Sequence, residues 1–145
     1  MKPTRTWIVM ADTRHLRIAE NTGPGHGLTD HEGKLPVAPE PVPLSDEPGM
    51  THASAGPNRG AITDPDPKGQ AARAFADDIV AYLSAAHNNG DFARLILIAP
   101  PQMMGHLRKA MTPDLQAVLH AEIAKDLIPV TLAELPEHLD KVIAL

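Results

Sequence analysis

The side chains of this chain that could do chemistry are few and scattered. Asp12 closes the apolar run TWIVMA (Thr6 to Ala11), and Asp126 lies near the end of LHAEIAKDL (Leu119 to Leu127). Carboxylates at two neighbouring strand ends can hold Mg²⁺ for phosphodiester cleavage. The plainer reading is that Asp12 caps a hairpin turn and Asp126 pairs with Lys125 or Arg108. It is favoured because no third carboxylate stands in clear register. The eight histidines invite a metal reading, especially around His26, Asp30, His31, Glu32 and His52. No HExxH pair occurs, and these spacings match no zinc site. His120-Ala121-Glu122 shares the H-x-E of zinc deaminases, but those also need cysteines, and the chain has none. No metal and no cofactor is therefore expected. Ser45, Ser54 and Ser84 are the only serines, and no G-x-S-x-G elbow surrounds them. The glycines of GPGHG (23–27) lack the Lys-Ser/Thr of a phosphate loop and read as a turn.

Basic residues make the remaining cluster. Arg14, His15 and Arg17 sit on the first hairpin, and Arg94, Arg108, Lys109 and Lys125 lie around later strand ends. If the sheet order brings them together, they form a patch for RNA or ribosomal phosphate. The competing reading is a solvated surface of mixed charge. Charge placement favours the latter. Residues 23–66 hold seven acids against Lys34 and Arg59, which accounts for the whole net charge of −5.

The element best placed to position a site is ARLILIAPPQMMG (93–105), a short apolar strand running into two prolines and a fresh helix. Open α/β sheets bind ligands outside the carboxyl ends of such strands. Pro101, Gly105 and Arg108 would line one edge of a pocket there, and the Pro100-Pro101 loop would border the basic patch. With Asp12, Arg14, Arg17, Lys125 and Asp126 they are the candidate binding residues, and no catalytic residue is assigned.

A chain of 145 residues that is 43% apolar is expected to form one domain, 1–145, around one core. Only Trp7, Phe75, Tyr82 and Phe92 are aromatic, so base-stacking platforms are not expected. The amino-terminal apolar run is too short for a secretory segment, and nothing later approaches a membrane span. The expectation is a soluble, cytoplasmic protein with no membrane contact and no DNA-binding signature. The stretch 23–66 is rich in proline and glycine as well as acidic. It reads as a long excursion, either functional or disordered.

The remaining elements follow from periodicity and caps. Thr6 to Ala11 suits a strand covered on both faces, and His15 to Glu20 alternates as its hairpin partner. A short edge strand is expected near Gly33 to Val37, followed by polyproline-like backbone through Pro43. Asp66-Pro67 caps a helix over 68–87, ended by Asn88-Asn89-Gly90. Arg94 to Ala99 is a buried strand parallel to the first. Helices follow over 102–111 and 114–118, then a strand over Leu119 to Leu127. Thr131 and Glu134 have capping-box spacing before a terminal helix from Pro136 to Ile143. The fold class is α/β, with an amino-terminal β-hairpin joined to a mixed sheet flanked by helices.

The succession TWIVMAD, ENTGPG, DEPGM, NRGAITDPDP, AFADDIVAYL, LILIAPP, GHLRKAM and EIAKDL resembles the bacterial family of proteins required for attachment to host cells. The likeness covers nearly the whole chain. That family in turn resembles, more distantly, the middle domain of archaeal and eukaryotic peptide-chain release factors. Met50 departs from the pattern, standing where an arginine commonly follows Pro-Gly. The resemblance implies an α/β domain. It also implies a role in attachment, expected to be indirect, from a non-catalytic binding or regulatory module inside the cell. A ribosome- or RNA-associated factor is the alternative, and a metal-dependent hydrolase is the third. The release factors' Gly-Gly-Gln motif does not occur in this sequence.

Overall fold

Six consecutive apolar or β-branched residues make β1, Thr6–Ala11, and all six are buried. A strand covered on both faces needs no polar alternation. Trp7, Val9 and Ala11 enter one core layer, and Ile8 and Met10 enter the other. β2, Leu16–Asn21, returns antiparallel with Ala11 opposite Leu16 and Thr6 opposite Asn21. The computed structural model describes residues 4–41 and 66–145. Ser45, Met50, His52, Ser54 and the 42–65 part of the expected excursion lie outside the described residues.

After β2 the chain turns through glycines whose positive φ angles, +85° at Gly25 and +67° at Gly27, penalise any Cβ. Asn21 braces this turn, accepting from Gly23 N–H (3.0 Å) and donating to Gly27 O (2.7 Å). The edge strand expected near Gly33 to Val37 forms earlier and shorter. It is β3, Thr29–Asp30, paired with Ala19 and Glu20. The ladder stops after His31 N–H donates to Ile18 O at 2.9 Å. Pro36 and Pro39 beyond it have no N–H to extend a ladder. Residues 31–41 are irregular yet anchored, because Leu35 and Ala38 pack into the core.

The next described element is α1, Pro67–Asn88, capped by Asp66, whose carboxylate accepts from Gly69 N–H at 3.0 Å. The apolar stripe expected from sequence is the buried face: Phe75, Ile79, Leu83 and Ala86, with Tyr82 half-buried at its margin. β4, Arg94–Ile98, then pairs parallel to β1 with Trp7 opposite Leu95. α2 (Pro101–Ala110) and α3 (Pro113–Val118) carry the chain to β5, Leu119–Ile123, parallel to β4. The sheet is mixed, with order β3-β2-β1-β4-β5.

β5 is shorter than the expected 119–127. At Ile123 the chain turns, Lys125 N–H bonding back to Ile123 O at 3.0 Å. Leu127 then packs under the sheet with Ile8, Met10, Ile96 and Ile98. The terminal helix α4, Leu135–Leu139, is also shorter than expected. The N–H groups of Val142 and Ile143 both bond Leu139 O, closing the helix there. The Thr131–Glu134 box forms, with Glu134 N–H donating to Thr131 Oγ1 (3.2 Å) and Thr131 N–H to Glu134 Oε1 (3.4 Å). Two layers thus cover the sheet. Helices α1 to α3 pack on one face, and the carboxyl-terminal segment with α4 packs on the other.

Candidate functional site: the carboxyl end of the central strands

β1 leaves the sheet by the hairpin towards β2, whereas β4 leaves through α2 towards β5. Their adjacent carboxyl ends form the point where connections diverge, the position at which open α/β sheets bind ligands. Among the described residues, the 12–15 turn, the segment at 39–41 and the first turn of α1 meet beside this end, and the Pro100-Pro101 entry to α2 follows directly from β4.

Asp12 holds the turn. Its Oδ1 accepts from the N–H groups of Arg14 (2.8 Å) and His15 (2.6 Å), and both carboxylate oxygens lie 3.1 Å from His15 Nδ1. Partial burial pushes its pKa up, but the Arg14 and His15 hydrogen bonds and the His15 ring outweigh this and hold it below the usual value. A depressed folded-state pKa contributes stability that is present above the unfolded value, about 3.9, and is lost as pH falls through the folded one. Asp12→Ala should therefore destabilise the protein at neutral pH. The gap from wild type should close as urea titrations are repeated at pH values below ~4.

The other charged candidates also have structural partners. Arg14 donates to Pro39 O (2.7 Å) and to Glu40 Oε1 (3.0 Å), tying the hairpin to the 31–41 segment. Arg17 Nη1 reaches three backbone carbonyls, those of Val130 (2.6 Å), Ile128 (2.8 Å) and Leu127 (3.5 Å). Arg108 makes two bonds to Glu122 Oε1, at 2.6 and 2.9 Å, rather than pairing with Asp126. The contact raises the Arg108 pKa through the hydrogen bond and then the charge of Glu122. Asp126 instead accepts from Ile128 N–H at 3.1 Å. It lies beyond the end of β5, and β4 separates β5 from β1, so Asp12 and Asp126 do not mark adjacent strand ends. Among the described residues, no group of three or more His, Asp or Glu could hold a metal ion.

Arg94 begins β4 and bonds Thr6 Oγ1 at 3.2 Å, at the opposite end of the strand from the prolines. Pro100 is the N-cap of α2 without a side-chain cap, and its carbonyl accepts from Met104 N–H at 2.8 Å. Pro101 fits the first turn because its missing N–H would have no intrahelical partner there. A Cβ built on Gly105 meets nothing within 4 Å, so packing does not demand glycine at that position. Lys109 and Lys125 are exposed.

Thr13, Arg14, Glu40, Pro41, Lys68 and Ala71 line a cleft of about 400 Å³ beside the carboxyl end of β1. Arg14 was expected at this end from sequence. Glu40 and Lys68 were not, since only the return of 39–41 to the hairpin brings them beside it. Their sequence signal is limited to their places next to prolines.

A second polar cluster was also missed. Trp7 Nε1 donates to Glu20 Oε2 (3.2 Å), and its ring lies 4.6 Å from His31 and 4.8 Å from Phe92. His31 Nε2 lies 2.6 Å from the Tyr82 hydroxyl. A Cβ on Gly33 would stand 2.5 Å from His31 Nε2 and 2.9 Å from the Tyr82 oxygen, so the close approach uses a glycine. The cluster fastens the start of the 31–41 segment to α1.

Residues 7–139 match the family described as "Protein required for attachment to host cells". No curated protein matches the chain. No helix among the described residues is long and apolar enough to cross a membrane. The match spans the hairpin, the divergent strand ends and the carboxyl-terminal layer, and the chain belongs to the family of proteins required for attachment to host cells.

Proposed function

We propose that this protein is a non-catalytic binding or regulatory module, acting inside the bacterial cell, on which attachment to host cells depends indirectly. The observation that carries the reading is the use made of Asp12. The carboxylate best placed for chemistry at the switch point accepts two backbone N–H bonds and faces the His15 ring, closing a turn. Arg17 and Arg108 are likewise engaged by carbonyls and by Glu122. A site of this kind presents shape and a few adjustable charges rather than a reactive group.

The test is genetic. Deleting the gene should reduce attachment severalfold, and re-expressing the chain should restore it. Antibody to the chain, applied to intact cells, should leave attachment unchanged. Normal attachment by the deletion strain would remove the attachment role, and blocking by antibody would overturn the indirect one.

A ribosome- or RNA-associated role, in line with the release-factor likeness, is the second reading. It is favoured by the exposed Lys109 and Lys125, for which no side-chain hydrogen bond or ion pair occurs among the described residues. That reading expects cosedimentation with ribosomes that weakens steeply with salt and with Arg108→Ala. Salt-insensitive behaviour, or none at all, counts against it.

A further inference from the structure

We infer that the cleft between the hairpin and the first turn of α1 binds a small molecule through a phosphate or carboxylate group. Glu40 is the internal anion that this group displaces. The inference rests on the reading of the protein as a binding module and names the ligand class of its site.

The cleft volume, about 400 Å³, is within the range of small-molecule sites. Among the described residues, two cations line it, Arg14 and Lys68. Arg14 is held in place through one nitrogen, Nη1 on Pro39 O at 2.7 Å, while Nη2 faces Glu40 at 3.0 Å. A guanidinium fixed in this way is preorganised for an anion, since its fork matches carboxylate and phosphate oxygens. Lys68 makes no hydrogen bond or ion pair among the described residues and is exposed at the same cleft.

The Glu40 side chain is 85% exposed and that of Arg14 is 40% exposed. An ion pair so open to water contributes little and exchanges readily. An incoming anion would meet Arg14 and also Lys68, which has no partner among the described residues. Pro41 and the buried Ala71 give the wall apolar surface for the body of such a ligand. The chain's net charge of −5 disfavours a polyanion more than a compact singly or doubly charged group.

The ¹⁵N-labelled full chain should be titrated at pH 7 and low salt with inorganic phosphate, with acetate and with a short RNA. Saturable shifts are expected at the amides of Thr13, Arg14, Lys68 and Ala71. Glu40→Gln should tighten binding severalfold by freeing Arg14. Lys68→Ala should weaken it about tenfold, the scale of a lost charge-assisted contact. Saturation by both small anions supports a carboxylate or phosphate ligand, and saturation by phosphate alone narrows it to phosphate. Shifts that do not saturate in either the wild type or Glu40→Gln overturn the inference, as does binding that both substitutions leave unchanged. RNA binding tighter than phosphate, with shifts reaching Lys109 and Lys125, also overturns it in favour of a nucleic-acid surface. Failure of the titration leaves the deletion phenotype as it is, so the two ideas fail separately.

Discussion

Trp7→Ala is expected to lower the free energy of unfolding by about 3–5 kcal/mol, the usual cost of removing a buried large aromatic. Trp7 is 1% exposed at the centre of the sheet and is the chain's only tryptophan. Its loss empties the space between β1, α1 and the 31–41 segment. It also removes the ring against which His31 and Phe92 pack, and it leaves Glu20 without its indole donor. Against a typical domain stability of about 5–15 kcal/mol, this is a large fraction. Trp7→Phe keeps most of the apolar volume and should cost clearly less. Urea unfolding followed by far-ultraviolet circular dichroism measures both. A loss below about 1 kcal/mol for the alanine variant would contradict the central role of this side chain.

Arg17→Ala should cost about 1.5–3 kcal/mol, because a charged donor is withdrawn from a partly buried site. The guanidinium gathers the carbonyls of Leu127, Ile128 and Val130 into one fan, fastening β2 to the layer under the sheet. Leu127 O also accepts from Val130 N–H at 3.1 Å, so the loss falls mainly on the carbonyls of Ile128 and Val130. Arg17→Lys should recover only part of the loss, since an ammonium cannot reproduce the planar spread of donors. Hydrogen exchange should quicken most in residues 127–143, with α1 little affected. Uniform loosening of the whole domain would show that Arg17 does not act as a local clasp.

Arg17 also shows where sequence reasoning reached its limit. Its alternation placed it correctly on β2, facing away from Ile18, but nothing local says that residues 110 to 113 positions later fold back beneath it. Elements governed by local rules were readable in advance. They include the apolar runs of β1 and β4, the Asp66-Pro67 start of α1, the Thr112 cap of α3 and the Thr131–Glu134 box. The ends of elements decided by long-range packing were not. β5 stops at Ile123 because Leu127 is drawn into the second layer, whereas alternation alone ran the strand on to 127. Candidate residues followed the same division. Asp12 as a turn cap was visible from the tight spacing of the hairpin. The pairing of Arg108 with Glu122 depended on how α2 lies against β5, and the company of Arg14, Glu40 and Lys68 depended on the return of the 31–41 segment.

Complementation by Asp12→Asn is the most direct measurement. Asparagine keeps an oxygen to accept from the Arg14 and His15 N–H groups, so the turn survives. It removes the negative charge that metal binding or acid–base chemistry would need. A deletion strain carrying Asp12→Asn should attach to host cells as well as one carrying the wild-type gene. If the variant folds like wild type by circular dichroism, is expressed at the same level and still fails to restore attachment, a non-catalytic role for the strand end is contradicted.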